Sequence, residues 1–115
     1  MEKIIIPGGP APIGPYTPAM KTSNLVFTSG QVGKGTTITE QAEVACKNVC
    51  ALLEAAGTDA KHVVKTTCFL ADINDFAAFN EVYAKYFTEK PARSCFAVKD
   101  LPGGAMCEIE AVAEL

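Results

Sequence analysis

At 115 residues, 49% of them hydrophobic and 20% charged, the chain has the composition of one globular domain over residues 1–115, long enough to bury a core without staples. Its net charge of −3 and its scattered basic residues leave no Lys/Arg track for a nucleic-acid backbone. No apolar window approaches the roughly 20 residues of a membrane span, and the three-residue apolar run in Met1-Glu-Lys-Ile-Ile-Ile-Pro7 is too short for a secretory leader, so neither a membrane segment nor a leader is expected.

Lys3–Ile6 reads as a short strand. The segment from Pro7 to Pro18 holds five prolines and three glycines, which excludes a helix and predicts a stiff, irregular loop. Within it, Ile13-Gly-Pro-Tyr16 carries an apolar residue and an aromatic, so the loop should pack on something. Asn24–Gly30 is a β run that stops at Ser29-Gly30, either as a plain strand end or as a ligand-facing hydroxyl beside an open backbone N–H.

Thr37-x-x-Glu40 has the spacing of a capping box, and Ile38, Ala42, Ala45, Cys46, Val49, Leu52, Leu53 and Ala56 follow at helical period up to the stop at Gly57. His62–Ala71 is a long β run. Asn74 or Asp75 would cap a second helix, whose stripe is Phe76, Phe79, Tyr83, Tyr86 and Phe87 and which Pro91 breaks. Asn80 sits at the edge of that stripe, as an ordinary edge amide or as part of a cleft. Ala92–Lys99 and Cys107–Ala113 are strands, and Leu101-Pro-Gly-Gly104 has the residues of a type II turn. The order β-β-α-β-α-β-β predicts an α+β domain, a single mixed sheet with two helices on one face. The other face is not polar enough to meet water freely, which predicts an oligomer.

Five cysteines, an odd number without a C-x-x-C pair, fit free intracellular thiols better than disulfides. With a lone histidine, His62, and no ligand spacing around it, no metal site is expected.

The last two strands carry the anomaly: an arginine in Pro91-Ala-Arg-Ser-Cys95, and two glutamates in Cys107-Glu-Ile-Glu-Ala111. Charge in a half-buried strand is costly unless it is paired or used. If Pro102-Gly103 closes a hairpin, Leu101 opposes Gly104. Cys95 then faces Glu110, Ala97 faces Glu108 and Arg93 faces Val112, all on the side away from the helices. Two readings stand. One is a cross-strand ion pair worth about 0.2–1 kcal/mol. In the other, Arg93 clamps an anion while a glutamate handles protons. Cys95 lacks a nearby base in sequence and is read as a spectator thiol or a backbone N–H donor rather than a nucleophile.

Ile13-Gly-Pro-Tyr16, Phe27-Thr-Ser-Gly-Gln31, Val64-Lys-Thr-Thr67, Asp72-Ile-Asn-Asp-Phe76, Pro91-Ala-Arg-Ser-Cys95 and Glu108-Ile-Glu-Ala111 appear in order along nearly the whole chain. Together they closely resemble the Rid family of reactive intermediate imine deaminases (RidA, also called YjgF). The resemblance implies a chorismate-mutase-like fold and a cytoplasmic homotrimer with clefts between subunits. It also implies cofactor-free hydrolysis of 2-imino or enamine acids, such as 2-iminobutanoate and 2-iminopropanoate, to 2-oxo acids and ammonia. By motif, Arg93 would bind the substrate carboxylate and Glu108 would activate water. The backbone N–H of Cys95, with Ser29 and Gly30, would hold the reacting end, while Tyr16 and Asn80 would line the cleft. The segments Val32–Thr37 and Thr88–Lys90 look short for the family, and the hairpin register places Glu110 rather than Glu108 nearer Arg93. A non-catalytic trimer that binds small metabolites or acts as a stress or chaperone-type regulator is the rival reading.

Overall fold

The capping box forms as the spacing predicts, and it starts the first helix of the computed structural model, which describes residues 1–115. The Thr37 hydroxyl accepts the Glu40 N–H at 3.2 Å, and the Glu40 carboxylate accepts the Thr37 N–H at 3.1 Å. Helix α1 (Ile38–Ala55) then runs with Ala42, Ala45, Cys46, Val49, Leu52 and Leu53 buried. Its end is a Schellman motif: the Gly57 N–H reaches the Glu54 carbonyl and the Thr58 N–H the Leu53 carbonyl, both at 3.0 Å, with Gly57 at a φ of 94°.

Helix α2 (Phe76–Tyr86) starts differently from the expectation. Neither Asn74 nor Asp75 caps it with a side chain; Asp72 instead accepts the Asn74 N–H at 2.9 Å and caps a short 3₁₀ turn, Ile73–Asp75, that leads into the helix. Of the stripe, Phe79, Tyr83 and Phe87 are buried, whereas Phe76 is 39% exposed and turns toward the sheet edge.

Seven strands make one sheet: β1 (Glu2–Ile4), β2 (Ala19–Lys21), β3 (Leu25–Thr28), β4 (Gln31–Val32), β5 (Val63–Leu70), β6 (Ala92–Ala97) and β7 (Cys107–Glu114). Strands β2 and β4, three and two residues long, lie beyond the five expected. The spatial order is β1-β2-β3-β7-β5-β6, with β4 on β7 beyond the end of β3; only the β5–β6 pair is parallel. Both helices cover one face. Val26, Thr66, Cys68, Leu70, Cys107, Ile109, Ala111 and Ala113 are buried beneath them. The opposite face lacks such cover, and Phe27 and Phe96 there are 43% and 45% exposed.

The expected β6–β7 hairpin does not form. The turn is present, with Gly103 at a φ of 66° and the Gly104 N–H on the Leu101 carbonyl at 3.3 Å. However, β6 ends at Ala97, too early for that turn to set a register. The chain crosses the end of β5, where the Val98 N–H meets the Leu70 carbonyl at 2.8 Å, and β7 returns on the far side. Strand β5 therefore separates the two: Arg93 pairs with Thr66, while Glu108 pairs with Phe69 and Glu110 with Thr67. Because paired residues share a face, Arg93 lies on the helix side and both glutamates on the open side. The placement of all three charges on one face is overturned, and so is the pairing of Cys95 with Glu110.

Candidate active site

Arg93 reaches out from edge strand β6 under the rim of α2. Its Nη1 donates to Asn80 Oδ1 at 2.8 Å. Its guanidinium carbon lies 4.7 Å from the Tyr83 ring centroid and 5.6 Å from that of Phe76. Tyr83 is in turn fixed by a 2.7 Å hydrogen bond between its hydroxyl and that of buried Thr66. Every group holding the guanidinium is neutral. The two ion pairs of the chain, His62–Asp59 and Lys85–Glu43, lie elsewhere, so no carboxylate neutralises Arg93. The aromatic faces stabilise the cation by roughly 0.5–1 kcal/mol each while leaving its remaining N–H donors free. Beside it opens a cleft of about 270 Å³ lined by Asn80, Tyr83, Phe87, Thr88, Lys90 and Arg93 among others.

Cys95 lies two residues beyond Arg93 on the same face and pairs with Cys68. Burial pushes its thiol up, with Arg93 and Cys68 pulling weakly the other way. The neutral thiol is a poor nucleophile, which fits the spectator reading.

Glu108 sits on the open face of β7, with Phe69 and Val32 as strand partners. The carboxylate lies directly over Gly30: a Cβ there would come 1.8 Å from Glu108 Oε1. Only glycine allows this approach. Burial, and then the charge of Glu110, push the Glu108 carboxyl above its ordinary value. The neighbouring Ser29 hydroxyl donates to the Thr17 carbonyl at 2.6 Å, and its N–H meets the Pro18 carbonyl at 2.8 Å. These bonds tie the proline-rich loop, with half-exposed Tyr16 on it, to the Glu108 end of the molecule.

The chain thus assembles two groups, Arg93 with Asn80 and Cys95, and Glu108 with Ser29, Gly30 and the Tyr16 loop. It does not join them. Arg93 and Glu108 are two strands and three register positions apart, about 14 Å along the sheet, and they point to opposite faces. Sequence reasoning missed Tyr83 and Thr66 as the support of Arg93; the signal was a hydroxyl on each buried face, Thr66 beside Cys68 and Leu70, and Tyr83 between Phe79 and Phe87. No three His, Cys, Asp or Glu side chains converge as metal ligands, and no helix is long and apolar enough to cross a membrane.

A mixed sheet of seven strands backed by two helices, with an unneutralised arginine at its edge, defines the α+β class of this chain. The chain belongs to the family described as Endoribonuclease L-PSP, the YjgF/RidA family, whose model matches residues 8–115. It is 44% identical over 113 residues to the 2-iminobutanoate/2-iminopropanoate deaminase of Homo sapiens, covering 90% of this chain and 82% of that one. Among solved structures, it superposes on RidA from the Antarctic bacterium Psychrobacter sp. with a TM-score of 0.95 at 36% identity, over 100% of both chains. It is similar also to E. coli TdcF with bound serine, with a TM-score of 0.94 at 36% identity over 100% and 99% of the two chains.

Proposed function

We propose that this protein hydrolyses 2-imino acids such as 2-iminobutanoate and 2-iminopropanoate, or their enamine tautomers, to 2-oxo acids and ammonia. It would do so without a cofactor, as a cytoplasmic homotrimer. The observation that carries this reading is Arg93, held by Asn80 and Tyr83 yet left without a counter-charge. A substrate carboxylate supplies that charge, and each charged hydrogen bond it gains is worth about 1.5–3 kcal/mol. The Homo sapiens relative's activity and the serine bound to TdcF support a small amino- or imino-acid ligand. Five free cysteines fit a reducing compartment.

Two features favour a site shared between copies. The open face carries Phe27 and Phe96 half-exposed, which a neighbouring copy would cover. The Arg93 and Glu108 groups also face opposite ways, so a neighbour's Glu108, with its Tyr16 loop, would complete the site around Arg93.

In such a site the protonated imine carbon is already electrophilic. Water adds to it as Glu108 takes a proton from the water, giving a carbinolamine. The same carboxyl then returns the proton to nitrogen, the C–N bond breaks, and the hydroxyl proton passes to the Glu108 carboxylate as the carbonyl forms and ammonia leaves. The raised proton affinity of Glu108 suits both steps. Glu108 is favoured over Glu110 because it is half-buried and seated on Gly30, whereas Glu110 is exposed. The Cys95 N–H with Ser29 and Gly30 would hold the reacting end, and Asn80 and Tyr16 would wall the cleft. The description of the family names an endoribonuclease; the acidic balance and scattered basic residues leave no basic track for RNA.

Coupling the protein to a threonine dehydratase and following 2-oxobutanoate release tests the reading. Wild type should accelerate imine loss and Arg93→Ala should not. A wild type no faster than Arg93→Ala that still binds 2-oxo acids would instead favour the non-catalytic, metabolite-binding or stress-related alternative.

A further inference from the structure

The cleft beside Arg93 contains a second cation that the chemistry above does not use. Lys90 lines the same roughly 270 Å³ space, and it is the one non-glycine residue of the chain with a left-handed backbone, at a φ of 53°. Its N–H bonds the Phe87 carbonyl at 3.2 Å, and Pro91 follows directly, so the turn holds Lys90 in a conformation that L side chains adopt at a cost. Lys90, like Arg93, has no carboxylate partner. The rest of the lining is neutral: Asn80 and Thr88 offer hydrogen bonds, Tyr83 and Phe87 an apolar wall, and no Asp or Glu enters it. Two unneutralised cations at one small cleft ask for a ligand with two negative charges. The volume lies just below the range of about 300–1,000 Å³ usual for ligand clefts, which suits a metabolite of few carbons.

We propose that this site prefers 2-imino and 2-oxo dicarboxylates of four or five carbons, with Arg93 on the carboxylate beside the reacting carbon and Lys90 on the distal one. This rests on the imine-deaminase reading and narrows its substrate class. The neutral Asn80 and Thr88 side chains solvate the middle of such a ligand without opposing its charge.

Titration calorimetry with the full chain, using 2-oxoglutarate and 2-oxobutanoate as probes, tests it. Wild type should bind 2-oxoglutarate about tenfold more tightly, the size of one charge-assisted hydrogen bond. Lys90→Gln should erase that preference and Lys90→Arg should keep it. Equal affinities in wild type, or a preference that survives Lys90→Gln, would overturn the proposal. Arg93→Ala separates this failure from failure of the underlying reading: if it leaves binding of both oxo acids intact, the carboxylate clamp itself is wrong. If neither probe binds wild type, the dicarboxylate preference falls, and the coupled assay decides the deaminase reading alone. Turnover of imines made in situ by amino-acid oxidases should show the same change in preference.

Discussion

The two faces of the sheet treat charge in opposite ways. On the helix-covered face, Arg93 is cradled by an amide and two aromatic rings, none of which carries charge, so its field stays directed outward. On the open face, Glu108 and Glu110 stand two residues apart on the same side of β7, and burial and mutual repulsion hold the Glu108 proton more tightly. In the proposed reaction one face would supply the anchor and the other the carboxylate that trades protons, and the fold of a single chain keeps the two apart.

That division can be broken most sharply by pairing two inactive variants. Arg93→Ala should lower kcat/KM at least about a hundredfold, as should Glu108→Gln. Each change touches one half only. If sites form between copies, co-refolding equal amounts of the two variants gives each site an even chance of an intact Arg93 and of an intact Glu108. Activity should then recover to about a quarter of wild type. No recovery would place both halves in one chain.

Two glycines extend the contrast. Gly30→Ala pushes a Cβ against the movable end of the Glu108 side chain, so activity should fall roughly a hundredfold while the fold survives. Gly33→Ala meets the Gln41 backbone carbonyl 1.9 Å away. Its cost should appear in chemical denaturation, at about 1–3 kcal/mol. Equal loss of stability in the two variants would argue against Gly30 acting through Glu108.

Smaller again, Tyr83→Phe removes the hydroxyl paired with Thr66 and leaves a buried group unsatisfied. Stability should drop by about 1–2 kcal/mol and kcat/KM several-fold, since the ring under Arg93 stays but loses its fixed seat. A variant as stable as wild type would show that the bond does not hold the ring.

The smallest effect is in pH dependence. Glu108 must lose its proton to act as base, so the rate should fall as pH drops through its raised value. Glu110→Gln removes one cause of that rise and should move the acid limb of kcat/KM to lower pH. For stability, the folded state binds the Glu108 proton more tightly than the unfolded chain. The stabilisation from that proton is present below the ordinary carboxylate range and is lost as pH rises through the raised value. Glu108→Gln should therefore raise Tm at neutral pH and leave it unchanged in acid. An acid limb unmoved in Glu110→Gln would remove the repulsion from the account.

Local features were legible in the sequence because their causes are local. The Thr37–Glu40 box, the Gly57 stop and the 107–113 alternation each depend on residues within a turn or a strand. Arg93 stood out because an arginine in an apolar strand is expensive. Its face was misread because that rested on which strand lies beside which. The Leu101–Gly104 turn suggested a hairpin, whereas β5 enters between β6 and β7 through pairings that no short stretch encodes. Strands β2 and β4, three and two residues long, offered too little alternation to detect. Tyr83 was read as part of the helix stripe and Thr66 only as part of a β run; both are buried, and their hydroxyls acquire meaning only once the two elements meet.

Strand β7 follows every other element in chain order, yet it lies at the middle of the sheet, hydrogen-bonded to β3, β4 and β5. Until it inserts, the β1–β3 meander and the β5–β6 pair are separate pieces with exposed edges. Assembly therefore waits on contacts between residues far apart in the chain, which makes the folding of this small domain slow for its size and vulnerable to edge-to-edge aggregation in the interval. The strand that brings in Glu108 is the same one that closes the sheet, so the carboxylate reaches its place over Gly30 only in a chain whose sheet is already whole.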